Sequence, residues 1–195
     1  MSISRGFILF SILFLSKIIW CQKIEFFREE LVFTLDTVSF TVNGDYWFRN
    51  ASNAGLTPRI YFPVCKTPGK PAFDTIVVYD TTDPDHPITA RINDTVAFFS
   101  INMPPFSSRC FKIFYKQHHT GSRACYILQT TAQWDKPLAY AKYTLVIPAM
   151  ISISGFSIPP DRSEDFGGTR LYFWERYNYM PVQDFYIDFS LQNTH

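Results

Sequence analysis

The side chains that invite a chemical reading are aromatic. Near the C-terminus Tyr172, Trp174 and Arg176 alternate with Phe173, Glu175 and Tyr177. Alternation places the first set on one face of a strand and the second on the other. Such rings pack inward as core or, left open to solvent, form a platform on which sugars or peptides stack. Trp47, out of step with Tyr46 and Phe48, is the other ring expected at a surface. Trp47, Tyr172 and Trp174 are therefore the candidate ligand-binding residues.

The parts needed for common catalytic chemistries do not assemble. The histidines are His86, His118, His119 and His195. His118 and His119 are neighbours, which strand geometry would send to opposite faces, and in a turn they have no acidic or thiol ligand at metal spacing. Asp83-Pro84-Asp85-His86-Pro87 gathers hard oxygens but lacks the glycine and terminal glutamate of a calcium loop, and its two prolines speak for turn chemistry. Ser154-Gly155-Phe156-Ser157 is not a nucleophile elbow. The carboxylates Asp161, Glu164 and Asp165 fall in a polar stretch, where nothing in the sequence makes them converge for glycoside hydrolysis. No catalytic residue, metal site or cofactor is expected, and the chain reads as a non-enzyme.

Composition points the same way. The 195 residues are 47% hydrophobic, 18% aromatic and 18% charged, enough for one domain with a substantial core. Twenty Phe and eleven Tyr favour sheets, where bulky rings suit a pleated surface. The net charge is +1 and no run of Lys or Arg appears, so the electrostatic footprint of a nucleic-acid binder is missing.

The N-terminus has the form of a signal peptide. Arg5 precedes an apolar run from Gly6 to Leu15, and Lys17 interrupts it too early for a membrane-spanning helix. Residues 1–21 are the expected signal and 22–195 the domain, with cleavage before Gln22. Cys21 stands where lipoproteins carry their lipidated cysteine, although Trp20 replaces the small residue expected before it. Membrane contact is thus expected only through the signal or, second, through lipid on Cys21.

Cys65, Cys110 and Cys125 then remain for an oxidising compartment, so one disulfide and one thiol is the simple expectation. Cys110 and Cys125 flank the turn His118-His119-Thr120-Gly121 and are the pair put forward. Strict hairpin pairing would set Cys110 nearer Gln129, so this bond requires a bulge, and Cys65 to either partner stays open.

The elements that must position these residues are short strands. Leu31, Phe33 and Leu35 alternate with less apolar neighbours, and Val38, Phe40 and Val42 do the same. The even register runs through Gly44 to Tyr46 and Phe48, so Gly44 reads as a bulge or bend. Further strands are expected at 59–64, 74–79, 88–91, 95–101, 143–147, 151–156, 171–176 and 184–191. Segments 109–116 and 124–131 make the clearest hairpin, 136–141 a single helical turn, and 80–87 and 159–168 turn or loop. Ten to twelve strands with regular turn signals and no helical periodicity predict an all-β fold, a single antiparallel β-sandwich of the immunoglobulin-like or jelly-roll kind. Asn50-Ala51-Ser52 and Asn93-Asp94-Thr95 match the glycosylation acceptor pattern.

Two segments carry a resemblance. Gly44-Asp45-Tyr46-Trp47-Phe48-Arg49-Asn50 followed by Arg59-Ile60-Tyr61-Phe62-Pro63, and Tyr126-Ile127-Leu128-Gln129-Thr130-Thr131-Ala132-Gln133-Trp134 followed by Pro137-Leu138 and Ala141-Lys142-Tyr143, resemble segments of uncharacterised exported bacterial proteins. Those proteins usually read Y-P-F-P where this chain has Tyr61-Phe62-Pro63-Val64. The resemblance implies a periplasmic, outer-surface or secreted location and brings no catalytic residues. The functional expectation is an exported interaction or structural module of the cell envelope, with an envelope protein or glycan as partner, sheet edges offering one docking surface. The alternative is a carbohydrate-binding or glycan-acting domain using exposed aromatic rings.

Overall fold

The computed structural model describes residues 24–65, 69, 72–119 and 122–191. The expected signal segment, Cys21 and His195 lie outside them. The first half of the chain forms β1 (Ile24–Leu35), β2 (Ser39–Asn50), β3 (Arg59–Pro63), β4 (Thr75–Asp80), β5 (Asp83–Ile88), β6 (Arg91–Asn93) and β7 (Val96–Ser100). The second half forms β8 (Ser108–His118), β9 (Arg123–Tyr126), a 3-10 helix (Gln129–Trp134), β10 (Leu138–Pro148), β11 (Ile151–Phe156), β12 (Arg162–Phe166), β13 (Thr169–Tyr179) and β14 (Phe185–Leu191). The fold is all-β, as the alternating pattern predicts.

One eight-stranded sheet runs β12-β13-β10-β1-β2-β8-β4-β5, and two three-stranded sheets, β11-β14-β9 and β3-β7-β6, form the opposing layer. Aromatic contacts tie the layers together. Phe33 of β1 stacks on Phe185 of β14 at 5.2 Å between ring centres, and Tyr46 of β2 meets Phe62 of β3 edge-on at 5.7 Å. The second layer is therefore two half-sheets lying side by side on one long floor.

Two features differ from the expected sandwich. The sheet is not purely antiparallel, because β1 and β10 pair in parallel, Arg28 opposite Tyr140 through Thr34 opposite Val146. Parallel neighbours need a long connection, and here it is the excursion that builds β3, β6, β7 and β9 of the second layer. The strand count, fourteen among the described residues, exceeds ten to twelve because two polar segments read as loops are edge strands. β5 (Asp-Pro-Asp-His-Pro-Ile) closes one edge of the large sheet and β12 (Arg-Ser-Glu-Asp-Phe) the other. Proline and charge are tolerated at an edge, where they also discourage further strands from adding.

The hairpin expected about His118-His119 does not form. β8 stays in the large sheet between β2 and β4, whereas β9 crosses into the second layer and pairs with β14. The single helical turn expected at 136–141 is the start of β10; the short helix lies just before it, at Gln129–Trp134. The disulfide joins Cys65 to Cys125, whose Cα atoms are 5.9 Å apart, and not Cys110 to Cys125. The reason is strand parity. Phe111, Ile113 and Tyr115 of β8 point into the core, so Cys110 faces outward from the large sheet while Cys125 is buried in the opposing layer. Burial and the nearby Asp45 push the Cys110 thiol up to about 11, which keeps it protonated and unreactive at neutral pH. A disulfide indicates an oxidising environment. Among the described residues no helix is long and apolar enough to cross a membrane.

A candidate ligand cavity at the seam of the second layer

The site begins with an irregularity in β1. Its pairing with β2 slips between Phe26 and Arg28. Before the slip the even residues Ile24 and Phe26 are buried; after it the odd residues Leu31, Phe33 and Leu35 are. A bulge that inserts one residue exchanges the two faces of a strand. Glu29 falls on the inward side of that exchange and is only 1% exposed.

Phenols surround the buried carboxylate. Tyr143 of β10, beside β1 in the sheet, donates its hydroxyl to Glu29 Oε1 at 2.5 Å. Tyr126 of β9 donates to Oε2 from above at a longer 3.4 Å, and its oxygen lies 3.1 Å from the Tyr46 hydroxyl. Tyr46 reaches this point because Gly44 precedes it by two. A Cβ at position 44 would stand 2.5 Å from both the Tyr46 ring and Leu31 Cδ2, so the missing side chain is the space those groups occupy. Gly44 pairs in register with Leu31 and Ile113, which corrects the bulge expected there. The bulge is one strand away, at Phe26–Arg28, and glycine here serves close approach.

Burial dominates the electrostatics. Desolvation raises the Glu29 carboxyl to about 7, against the opposing pull of the Tyr143 and Tyr126 hydrogen bonds. Among the described residues no cationic side chain pairs with it. Burial also holds Tyr46, Tyr115, Tyr126 and Tyr143 well above the ordinary phenol range, so all four stay neutral around it.

Glu29 borders a cavity of about 220 Å³ that opens where the two half-sheets fail to meet. Phe26 and Phe48 of the large sheet line one side, Ile60 and Phe62 of β3 another, and Trp134 of the 3-10 helix a third. The Trp134 ring lies 6.1 Å from Phe26 and 5.6 Å from Phe48, so the helix forms one wall of an aromatic box. The cross-link from Cys65, just past β3, to Cys125 in β9 holds the two half-sheets at this seam. Arg59, Thr130 and Thr131 also line the cavity; apolar walls with a few placed polar groups are the usual make-up of a small-molecule site.

The residues singled out from the sequence lie elsewhere. Trp174 is 1% exposed and donates its indole N–H to the Ile158 carbonyl at 2.9 Å; Tyr172 packs near it, and Phe156 bridges their rings. Both belong to the core, so the platform expected from them is not formed. Trp47 is half-buried on the outer face of the large sheet, where the Arg28 guanidinium lies 4.6 Å from its ring centre and 5.1 Å from that of Tyr140. The three residues share no site. His118 and His119 are engaged with the fold: His118 Nε2 is 2.9 Å from Asp74 Oδ1, and His119 Nε2 is 2.9 Å from the Asp36 carbonyl. Asn50 is buried and donates to the Met103 carbonyl at 3.0 Å, which withdraws it as a glycosylation acceptor. The sequence pattern singles out neither Glu29 nor Trp134 as a site residue, although Trp134 ends one of the two resembling segments. The signal for Glu29 was present: carrying the odd parity of Leu35, Phe33 and Leu31 two residues further back lands a carboxylate on the core face.

No family model and no curated relative matches this sequence. Solved structures do resemble the fold. A nutrient-binding candidate from Legionella pneumophila superposes with a TM-score of 0.64 at 14% identity, over 86% of this chain and 67% of that one. An M1 zinc metallopeptidase from Deinococcus radiodurans superposes with a TM-score of 0.53 at 8% identity. That match covers 86% of this chain and 42% of the peptidase, so this chain spans less than half the enzyme's length. At such identities the likeness is one of fold.

Proposed function

We propose that this chain is an exported binding module that holds a small ligand in the cavity over Glu29. The observation that carries the reading is the cavity itself, an aromatic-walled space of about 220 Å³ with a buried carboxylate on its wall. The chemistry on offer is that of holding. Among the described residues lining the cavity, Glu29 is the sole carboxylate and Arg59 the sole cation; none is a histidine, cysteine, serine or lysine, and the hydroxyls are those of tyrosines and of Thr130 and Thr131. A pair of carboxylates is thus not supplied there. Export is supported by the signal-like N-terminus and by the Cys65–Cys125 bond. The Legionella neighbour is described as a candidate for nutrient binding, a role of the same class. An envelope setting remains part of the proposal. The glycan alternative has lost Trp174 and Tyr172 to the core, and the Trp47 ring is already stacked by Arg28.

The test is a small-molecule screen by thermal shift on the purified protein, read in parallel on Thr130→Trp, which fills the cavity from its rim. Compounds that raise the melting temperature of the parent but not of the filled variant support the reading. A screen in which both respond alike sinks it.

A further inference from the structure

Resting on the cavity reading above, we infer that the ligand is an organic cation, a small amine whose ammonium group meets Glu29 within the aromatic box. Three features of the site point to a positive charge. Glu29 is withdrawn from solvent and has no cationic partner among the described residues, although buried acids are ordinarily paired. Its hydrogen bonds are unequal, Tyr143 at 2.5 Å on Oε1 and Tyr126 at 3.4 Å on Oε2, which leaves Oε2 the weakly held oxygen. The walls carry rings from Phe26, Phe48, Phe62 and Trp134, and aromatic faces attract a desolvated cation; Arg59, which also lines the cavity, is exposed, with its guanidinium 5.5 Å from the Phe98 ring centre. The volume equals about seven waters of liquid, so the ligand is smaller than a typical drug.

Binding must then be coupled to a proton. The ionisable groups around Glu29 are Tyr46 from β2, Tyr115 from β8, Tyr126 from β9, Tyr143 from β10 and, more distantly, Tyr179 from β13, all shifted upward, and Arg59 of β3 lines the same cavity as a permanent cation. Glu29 is the group in this cluster that titrates near neutrality. An ammonium ligand selects the ionised carboxylate, so below neutrality its binding expels the Glu29 proton to solvent, and affinity falls as pH falls. Between about pH 8 and about pH 6 the loss is about tenfold.

The experiment compares three ligands of one shape on the full protein: phenethylamine, phenethyl alcohol and phenylacetate. Binding is followed by Trp134 fluorescence, assigned with Trp134→Phe, and by calorimetry in two buffers of different protonation enthalpy. The amine is expected to bind at least about tenfold tighter than the alcohol, with proton release below neutrality, and Glu29→Gln is expected to erase both the preference and the release. Equal or tighter binding of the alcohol or the carboxylate overturns the cation assignment while leaving the cavity reading in place. Amine binding without proton release below neutrality overturns it as well, on the unaltered protein and so independently of how the variant folds. Binding of none of the three removes the cavity reading, and the inference falls with it.

Discussion

Two carboxylates on opposite faces of the large sheet have nearly the same partners and opposite behaviour. Glu29, on the inner face, receives hydroxyls from Tyr143 and Tyr126. Glu175, on the outer face, receives hydroxyls from Tyr140 at 2.8 Å and Tyr177 at 3.0 Å. Hydrogen bonds from two phenols favour the ionised form in both. On the outer face those bonds decide the matter, and the Glu175 carboxyl lies below its ordinary value. On the inner face desolvation outweighs them, and Glu29 is raised to about 7. The donors are alike; the solvent differs. The contrast teaches that access to water, and not the number of phenols, sets the sign.

The same inside–outside contrast can be broken at three levels. The largest effect is expected at the cysteines. Cys65 and Cys125 close a separation of 60 residues across the second layer, and loss of that constraint by Cys65→Ala costs about 4 kcal/mol on chain-entropy grounds. Cys110→Ala, on the outer face, is expected to cost less than about 1 kcal/mol. Urea unfolding of the two variants checks the ranking, and equal midpoints would refute it.

Next comes the pH dependence of stability. Unfolded Glu29 titrates at 4.5 and folded Glu29 at about 7. Between these values the native state holds the proton and the unfolded state does not, so native binds more protons and stability falls as pH rises. The loss amounts to about 3 kcal/mol, complete above the folded value and absent below the unfolded one. Glu29→Gln should flatten that slope across the window, measured by denaturant midpoints at several pH values. Glu175→Gln should leave it as it is. A parent protein whose stability does not fall through this window would show that Glu29 is not shifted upward.

The smallest difference is at the donors. Tyr143→Phe removes the short bond to the buried acid and is expected to destabilise the protein by about 2 kcal/mol above neutrality, and by less at mildly acid pH, where Glu29 is protonated. Tyr140→Phe removes a solvent-exposed bond, and no measurable change of midpoint is expected. Matching effects from the two substitutions would show that the faces do not differ as described.

Much of this architecture was legible along the chain. The period-two runs in β1 and β2 announce half-buried strands, and the absence of helical periodicity announces an all-β fold. Neighbour choice was not legible, because pairing is decided by contacts between residues far apart in sequence. Segments flanking His118 look like a hairpin, yet β9 finds β14 in the other layer. Cys110 and Cys125 are close in the chain and separated by the large sheet. Trp174 and Tyr172 stand on an alternating strand whose two faces are both rich in rings, and composition cannot say which face is covered.

The site divides in the same way. The amino-acid order alone determined a strand-rich chain, its alternation, an odd parity in β1 that leads back to Glu29, and a glycine at 44 beside bulky neighbours. These are local properties, fixed by side-chain period and backbone sterics. The tertiary structure decided that the pairing of β1 slips at Phe26–Arg28, that two half-sheets meet over Glu29 with a gap, and that Trp134 closes one side of it. Those outcomes depend on which surfaces exclude water from which, and desolvation is a property of the packed assembly that no single stretch of sequence carries.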